Sequence, residues 1–455
     1  MFFHEKMQNY TDPEQLAAAY LSNYFKNQKI EYPINPFQML TDEGILFSLS
    51  NFKKLEGVYI PISDGKDIPV VGINANRPIT RQRFTAAHEL CHHIHDANNK
   101  QITCPILGKK TQIERFADQF AAALLMPIQE LKAQVNKRKN RQGNVSFDDV
   151  IEISEYFGVS FEACVFRIAY QIHAISGNIE PDELKRRIKK YSPDTVRKTK
   201  RMSYFRLYAN LIDSFKEQLS FQPNDHVRYI FMNNYIYNDS RMEGVNVTQE
   251  QAAEIVTDIR LNMQNSIYCT GDEKNEVFLS IAGHYDIYQD IFAEPINEKI
   301  SVYDTMLINK KLYSHYPYPE FGGMTRRNNT LVLGGKFETV DYNEIFSELT
   351  KLDKIVQDYY IRRKEIPLSE YVQHVVRVHH KITVIHPFSD GNGRTARAFM
   401  NMQLVRAGII PVYIRVDDKA EYIYALEKVD KENDYRDLYE LIFRLIIRSY
   451  VELNQ

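Results

Sequence analysis

The chain has little cysteine, almost no net charge and no long apolar run, and each shortage removes a class of protein. Its four cysteines (Cys91, Cys104, Cys164 and Cys269) are widely spread and show no CxxC spacing. That argues against a disulfide framework and for a reducing compartment. A formal net charge of -2 gives no global electrostatic reason to expect nucleic acid or an anionic membrane as partner. No apolar stretch approaches the roughly 20 residues of a membrane span, and the C-terminal LIFRLIIRSY is broken by arginines. The N-terminal MFFHEKMQNY lacks the basic-then-apolar layout of a signal peptide. The expectation is a cytoplasmic protein. At 455 residues it is too long for one ordinary core, so two or three domains are expected.

Helical spacing over Glu14–Phe25 gives way to strand-like pieces, GVYIPI (57–62) and IPVVGI (68–73). From Arg81 a helix is expected, because Phe84, Ala87, Cys91 and Ile94 recur at three- and four-residue steps. Another covers Gln112–Leu125 and is stopped by Pro127. Two shorter helices follow, with Ser146 and Ser160 as their caps. Residues 176–203 turn polar and basic and read as a linker or an exposed linking helix. From 204 onward the pattern is mostly helical, interrupted by GGMTRRNNTLVLGG (322–335).

HPFSDGNGRTAR (386–397) lies between two helical stretches. Its DGNG segment cannot continue a helix but suits a tight turn with unhindered backbone N–H groups, which form an anion nest at the start of the next helix. Arg394 and Arg397, three residues apart, can both point back over that nest as phosphate clamps. Asp390 offers one carboxylate to a Mg²⁺ that keeps mostly water and phosphate ligands. His386 sits where a neutral imidazole can take a proton from an attacking hydroxyl. A Gly-Asn turn between two core helices is the plainer reading, and the density of histidine, carboxylate and arginines in twelve positions disfavours it.

This stretch matches the Fic family signature HxFx(D/E)GNGRxxR without departure, and the resemblance covers about 240–450. It implies His386 as base, Asp390 as Mg²⁺ ligand, and Gly391, Asn392 and Gly393 as the anion hole for ATP. It also implies Arg394 on the inner phosphates and Arg397 on the γ-phosphate. Residues 322–335 resemble the family's flap, an edge hairpin that aligns a target protein, and AEYIYALEKV (420–429) resembles its following helix. Most members transfer AMP from ATP to Ser, Thr or Tyr. Gly393 sets the chain apart from the kinase-like branch resembling Doc, which has lysine there. NDSRMEGVNVT (238–248) resembles the family's inhibitory motif (S/T)xxxE(G/N), with Asp239 where Ser or Thr is usual. In that motif a glutamate pairs with the second arginine, which here would be Glu243 with Arg397.

HELCH (88–92) puts His88 and His92 one helical turn apart, able to share one Zn²⁺, with Glu89 beside them as base for a water. Glu114 in ERFADQFAAALLMP supplies the third ligand, and Asp118 can orient a ligand histidine. RQRFTAAHELCHHIH with ERFADQFAAALLMP resembles the ImmA/IrrE family of zinc metallopeptidases over about 55–172, with Cys91 where glycine is usual. The resemblance implies a narrow protein substrate such as a transcriptional repressor. His93 and His95 read as ordinary surface histidines. The segment DDVIEISEYFGVSFEA is acidic, which opposes direct DNA binding.

The expected architecture is multidomain. An N-terminal α+β zincin-like domain (1–175) and a basic linker (176–203) precede a mainly α-helical Fic fold (204–455) with a short β-hairpin flap. The expected activity is AMP transfer restrained by Glu243 and joined to a zinc peptidase. Two rivals stay open: a hydrolase that removes AMP from proteins, and a zinc-domain sensor that binds a partner without cutting it.

Overall fold

The computed structural model describes residues 7–26, 28–62, 68–96, 102–105, 111–221, 224–261, 276–293, 299–330 and 338–454. It forms two compact units, Met1–Ser214 and Phe215–Gln455.

The first unit is α+β. Helices α1 (Pro13–Phe25) and α2 (Pro36–Asp42) each begin with proline at the first helical position, after the side-chain caps Asp12 and Asn35. Strands β1 (Leu46–Ser50), β2 (Leu55–Ile60) and β3 (Val70–Asn74) come next. They are followed by helix α3 (Ile79–His95), strand β4 (Ile102–Pro105) and helix α4 (Gln112–Leu125). The sheet order is β1-β3-β2-β4, with β1 parallel to β3 and the other pairs antiparallel. Gly57 lets β2 press onto α3, because a Cβ there would overlap a carboxylate oxygen of Glu89. Arg83 on α3 is wholly buried and donates to the carbonyls of Gly158 (3.0 Å) and Ile34 (2.6 Å).

Helices α5 (Ile128–Asn136), α6 (Phe147–Phe157) and α7 (Phe161–Arg167) complete the packing. Ser146 and Ser160 cap the latter two as their sequence suggests, Ser146 in a reciprocal capping box with Asp149. The basic stretch 176–203 is not a bare linker. It holds α8 (Pro181–Lys190) and α9 (Pro193–Thr199), and the unit runs on through α10 (Phe205–Ser214). Its charge answers the acidic face of α6: Arg197 reaches Glu155 at 2.6 Å and Lys200 reaches Glu152 at 2.5 Å. Leu184 is fully buried, and Tyr191 stacks on Phe161. Composition registered the charge but not its partner.

The second unit is helical in its described residues. In order it has α11 (Asp225–Met242), α12 (Gln249–Arg260), α13 (Glu276–Ala293), α14 (Asp304–Leu312) and α15 (Ile345–Arg362). Then come α16 (Leu368–Ile385), α17 (Asn392–Arg406), α18 (Lys419–Glu432) and α19 (Arg436–Leu453). Helix α17 is the axis, buried at every residue from Arg394 to Arg406. A helix buried all round must satisfy its polar side chains internally. Asn401 exchanges hydrogen bonds with the Val412 backbone and donates to Tyr288, while Arg406 donates to Lys299 O and Asp304. The strand-like reading of 322–335 falls partly outside the described residues. Within 322–330 there is one isolated bridge, Thr325 to Phe388, and no named strand.

Helix α13 crosses α14 closely at Gly283, where a Cβ would overlap the Leu312 carbonyl and sit 2.9 Å from its carbon. Backbone cannot swing aside as a side-chain tip does. Gly283→Ala should therefore lower stability by about 1–3 kcal/mol, the usual cost of overpacking. Chemical unfolding of the two proteins checks this, and an unchanged midpoint would contradict the close crossing.

Candidate functional sites

The loop 386–391 joins α16 to α17. His386 ends α16 in a left-handed conformation (φ 51), and its amide donates to Ile382 O at 2.9 Å. Arg326, nearly fully buried, fixes the loop from outside. Its amide donates to Pro387 O (2.9 Å) and its Nε to His386 O (2.7 Å). Nη1 of Arg326 donates to Asn328 O at 2.8 Å. Thr339 donates to Thr330 O, and Asn329 to Asp341, so the described ends of the 326–342 segment are tied together. Residues 331–335, part of the expected target-docking flap, lie outside the described residues.

Nδ1 of His386 lies 3.3 Å from Thr383 O. A carbonyl only accepts, so the ring proton belongs on Nδ1 and the lone pair on Nε2. Burial pushes the imidazole below the ordinary value of 6.5, with the Thr383 carbonyl opposing. Gly391 begins α17 at φ 76, and a Cβ there would meet Leu312, Tyr313 and Asn309. The Asn392 side chain does not face the nest: it accepts from Phe388 N (2.9 Å) and donates to Phe388 O (2.8 Å), bracing the turn. The first-turn amides of α17 have no carbonyl to bond within the helix. Asp390 is exposed and accepts from Tyr313 OH at 2.6 Å, while Arg394 donates to both (2.8 and 3.3 Å). Against the partial desolvation of the loop, the Tyr313 hydrogen bond and the Arg394 charge hold the Asp390 carboxyl below the usual range. Asn309 donates to Asp390 O and accepts from Gly323 N. Arg326, Asn309 and Tyr313 were missed by sequence reading, since no local pattern ties them to the loop.

Arg397 faces the last turn of α11. Asp239 and Glu243, four residues apart, share one face of that helix. Arg397 donates Nε to Asp239 and Nη2 to Glu243 Oε1, the latter at 2.5 Å. Asp239, read from sequence as a departure from Ser or Thr, thus supplies a second carboxylate. Its other oxygen lies 2.8 Å from His284 Nε2, and His284 Nδ1 is 2.8 Å from Ser280 O. Burial alone would raise the Asp239 carboxyl, yet Arg397 and His284 hold it at about 2. Glu243 is one-third exposed and lies beside Gly393, 3.5 Å from where a Cβ would stand. Gly244 takes φ 88 directly after it, ending the helix.

In the first unit, α3 presents His88 and His92, and α4 presents Glu114. The two Nε2 atoms are 3.1 Å apart, with Glu114 oxygens 3.3 and 3.5 Å from them. Donors about 2.0–2.1 Å from a tetrahedral zinc sit about 3.3 Å from one another, so these three fit the ion. Both Nδ1 atoms are held by carboxylates, His88 by Asp118 (3.1 Å) and His92 by Asp96 (2.9 Å), leaving Nε2 inward. Sequence reading anticipated Asp118 and missed Asp96. Glu89 is fully buried, neither carboxylate oxygen has a hydrogen-bond partner among the described residues, and burial pushes it up to about 7 against the pull of His88 and His92. His95 is partly buried and bridges Asp96 (2.8 Å) and Tyr10 O (2.9 Å), and His93 Nδ1 lies 3.0 Å from Tyr59 OH.

Residues 299–404 match the Fic/DOC family, and residues 42–169 match the IrrE N-terminal-like domain; the chain joins a segment of each. Among its relatives is the protein adenylyltransferase Fic of Aedes aegypti, 30% identical over 211 residues, which are 46% of this chain and 39% of that protein. The protein adenylyltransferase fic-1 of Caenorhabditis elegans is 28% identical over 130 residues, 29% of this chain and 24% of the relative. The matches thus span two-fifths or less of these relatives' length. Solved structures include Fic-1 from C. elegans (TM-score 0.46, 15% identity, covering 74% of this chain and 87% of that one). A Fic domain-containing signaling protein from Bacteroides thetaiotaomicron gives TM-score 0.44 at 22% identity, covering 54% and 95%. Among the described residues no helix is long and apolar enough to cross a membrane.

Two outcomes follow from this geometry. NMR titration of histidine-labelled protein should place the His386 midpoint below 6.5, so that the ring is neutral at pH 7 and protonates only as pH falls through that lower value. A midpoint above 6.5 would contradict the burial argument. Asp239→Ala should cost about 3–5 kcal/mol, because a buried guanidinium loses its deepest partner. Glu243→Ala, at a partly exposed position, should cost under about 1 kcal/mol. Equal losses in chemical unfolding would overturn this ranking.

Proposed function

We propose that the chain is a protein adenylyltransferase held in check by its own Glu243. The observation that carries this reading is Arg397 engaged by Glu243 at 2.5 Å at the first turn of α17, beside Gly393. In this reading ATP lies with its phosphates over the amides at Gly391, Asn392 and Gly393. Arg394 contacts the inner phosphates and Arg397 the γ-phosphate once Glu243 lets it go. Asp390 would hold Mg²⁺, which when bound supplies charge neutralisation for the triphosphate. A Ser, Thr or Tyr oxygen of a target segment docked near 326–335 attacks the α-phosphorus. Its proton passes to His386 Nε2, the new P–O bond forms, and the bond to pyrophosphate breaks. Base help is worth about two to four orders of magnitude, and the amides and arginines around the developing charge contribute more.

In the same proposal His88, His92 and Glu114 hold Zn²⁺ in the first unit, where it would supply Lewis acidity for peptide hydrolysis. Glu89, wholly buried beside the two histidines, is the base. A repressor-like protein is the substrate class that the family resemblance suggests.

One observation favours a second reading. The Glu243 carboxylate is one-third exposed at the loop, where it can orient a water for removal of AMP from a modified protein. Incubating lysate with ATP labelled at the α-phosphate separates the two. Glu243→Gly should label proteins at least tenfold above wild type, and Glu243→Gly/His386→Ala should label none. If no protein is labelled while Glu243→Gly loses the ability to strip AMP from a pre-modified target, the transfer reading fails and the hydrolase reading stands.

A further inference from the structure

Beyond the three ligands already argued, the zinc cluster contains a group that sequence reading left as an isolated cysteine. Cys104 lies on β4, paired with Gly57 of β2. Gly57 is the residue that lets β2 rest directly on Glu89 of α3. Two contacts therefore fix where the thiol falls: the ladder sets Cys104 across from Gly57, and the missing side chain at Gly57 brings that ladder against the HELCH turn. The outcome is that Cys104 Sγ, a nitrogen of His88 and an oxygen of Glu114 all lie within 4.8 Å of one another, each side chain buried. Cys104 forms no disulfide. Glu114 Oε2, itself buried, faces His88 Nε2 at 3.3 Å in the same cluster.

We propose that Cys104 is a protein ligand of the zinc ion, alongside His88 and Glu114. The inference rests on the zinc reading of this cluster. Zinc binding requires the thiol to give up its proton, which adds a proton released on loading.

Zinc K-edge X-ray absorption on the full chain, loaded with one equivalent of zinc under reducing conditions, tests the assignment without any activity assay. Wild type should show one sulfur at about 2.3 Å and three nitrogen or oxygen neighbours at about 2.0–2.1 Å. Cys104→Ser should show nitrogen and oxygen only. In case that variant folds poorly, the triple variant Cys91→Ser/Cys164→Ser/Cys269→Ser, with Cys104 as its one thiol, should keep the sulfur. A wild-type shell of nitrogen and oxygen alone, with zinc stoichiometrically bound, would overturn the Cys104 assignment and leave the zinc reading intact. Failure of the folded protein to take up zinc at all would overturn the zinc reading and this inference with it.

Discussion

The guanidinium of Arg397 carries its charge where almost no water reaches, and much of the second unit is arranged around that fact. Moving such a charge out of water costs several kcal/mol unless partners replace the lost hydration. Two carboxylates one helical turn apart on α11 do so, and the turn that ends α11 at Gly244 brings the second of them to the loop. Asp239 is anchored in turn by His284, on the helix whose Gly283 permits the close crossing of α14. The same α14 supplies Asn309, which holds the Asp390 carbonyl, and is followed by Tyr313, which holds its carboxylate. Loop geometry and arginine pairing are consequently one packing problem, solved by the helices on either side of α17.

Division of labour between the two carboxylates follows from their depth. Asp239 is buried and shared with His284, which makes it a permanent anchor for the Arg397 side chain. Glu243 sits at the rim, partly hydrated, and is the partner that can leave at small cost. In the proposed function, a triphosphate competing for Arg397 would displace only the outer acid and find the guanidinium already oriented by the inner one. In the first unit the logic is similar. Carboxylates behind His88 and His92 fix the outer nitrogens, so the inner ones converge.

What could be read from sequence was whatever lies within one turn of helix or one loop. The caps Ser146 and Ser160, the stop at Pro127 and the HPFSDGNGRTAR loop are local, and the structure has them where spacing put them. Strand β1 went unread because LFSLS is short and carries no turn signal of its own. The basic stretch 176–203 read as a linker because its partner face on α6 lies about forty residues away in sequence. Asp239 looked like a defect in a motif, since the arginine that explains it is 158 positions downstream. Arg326, Tyr313 and Cys104 were invisible for the same reason: each acts through a contact that only the packed chain creates.

The central claim, that Glu243 and the γ-phosphate compete for Arg397, is tested most directly by calorimetry with ADP and a non-hydrolysable ATP analogue on wild type and Glu243→Gly. The account predicts that the variant gains affinity for the ATP analogue by about tenfold, near the 1.4 kcal/mol of one freed charge contact, while ADP affinity is unchanged. Equal gains for both nucleotides, or none for either, would contradict it.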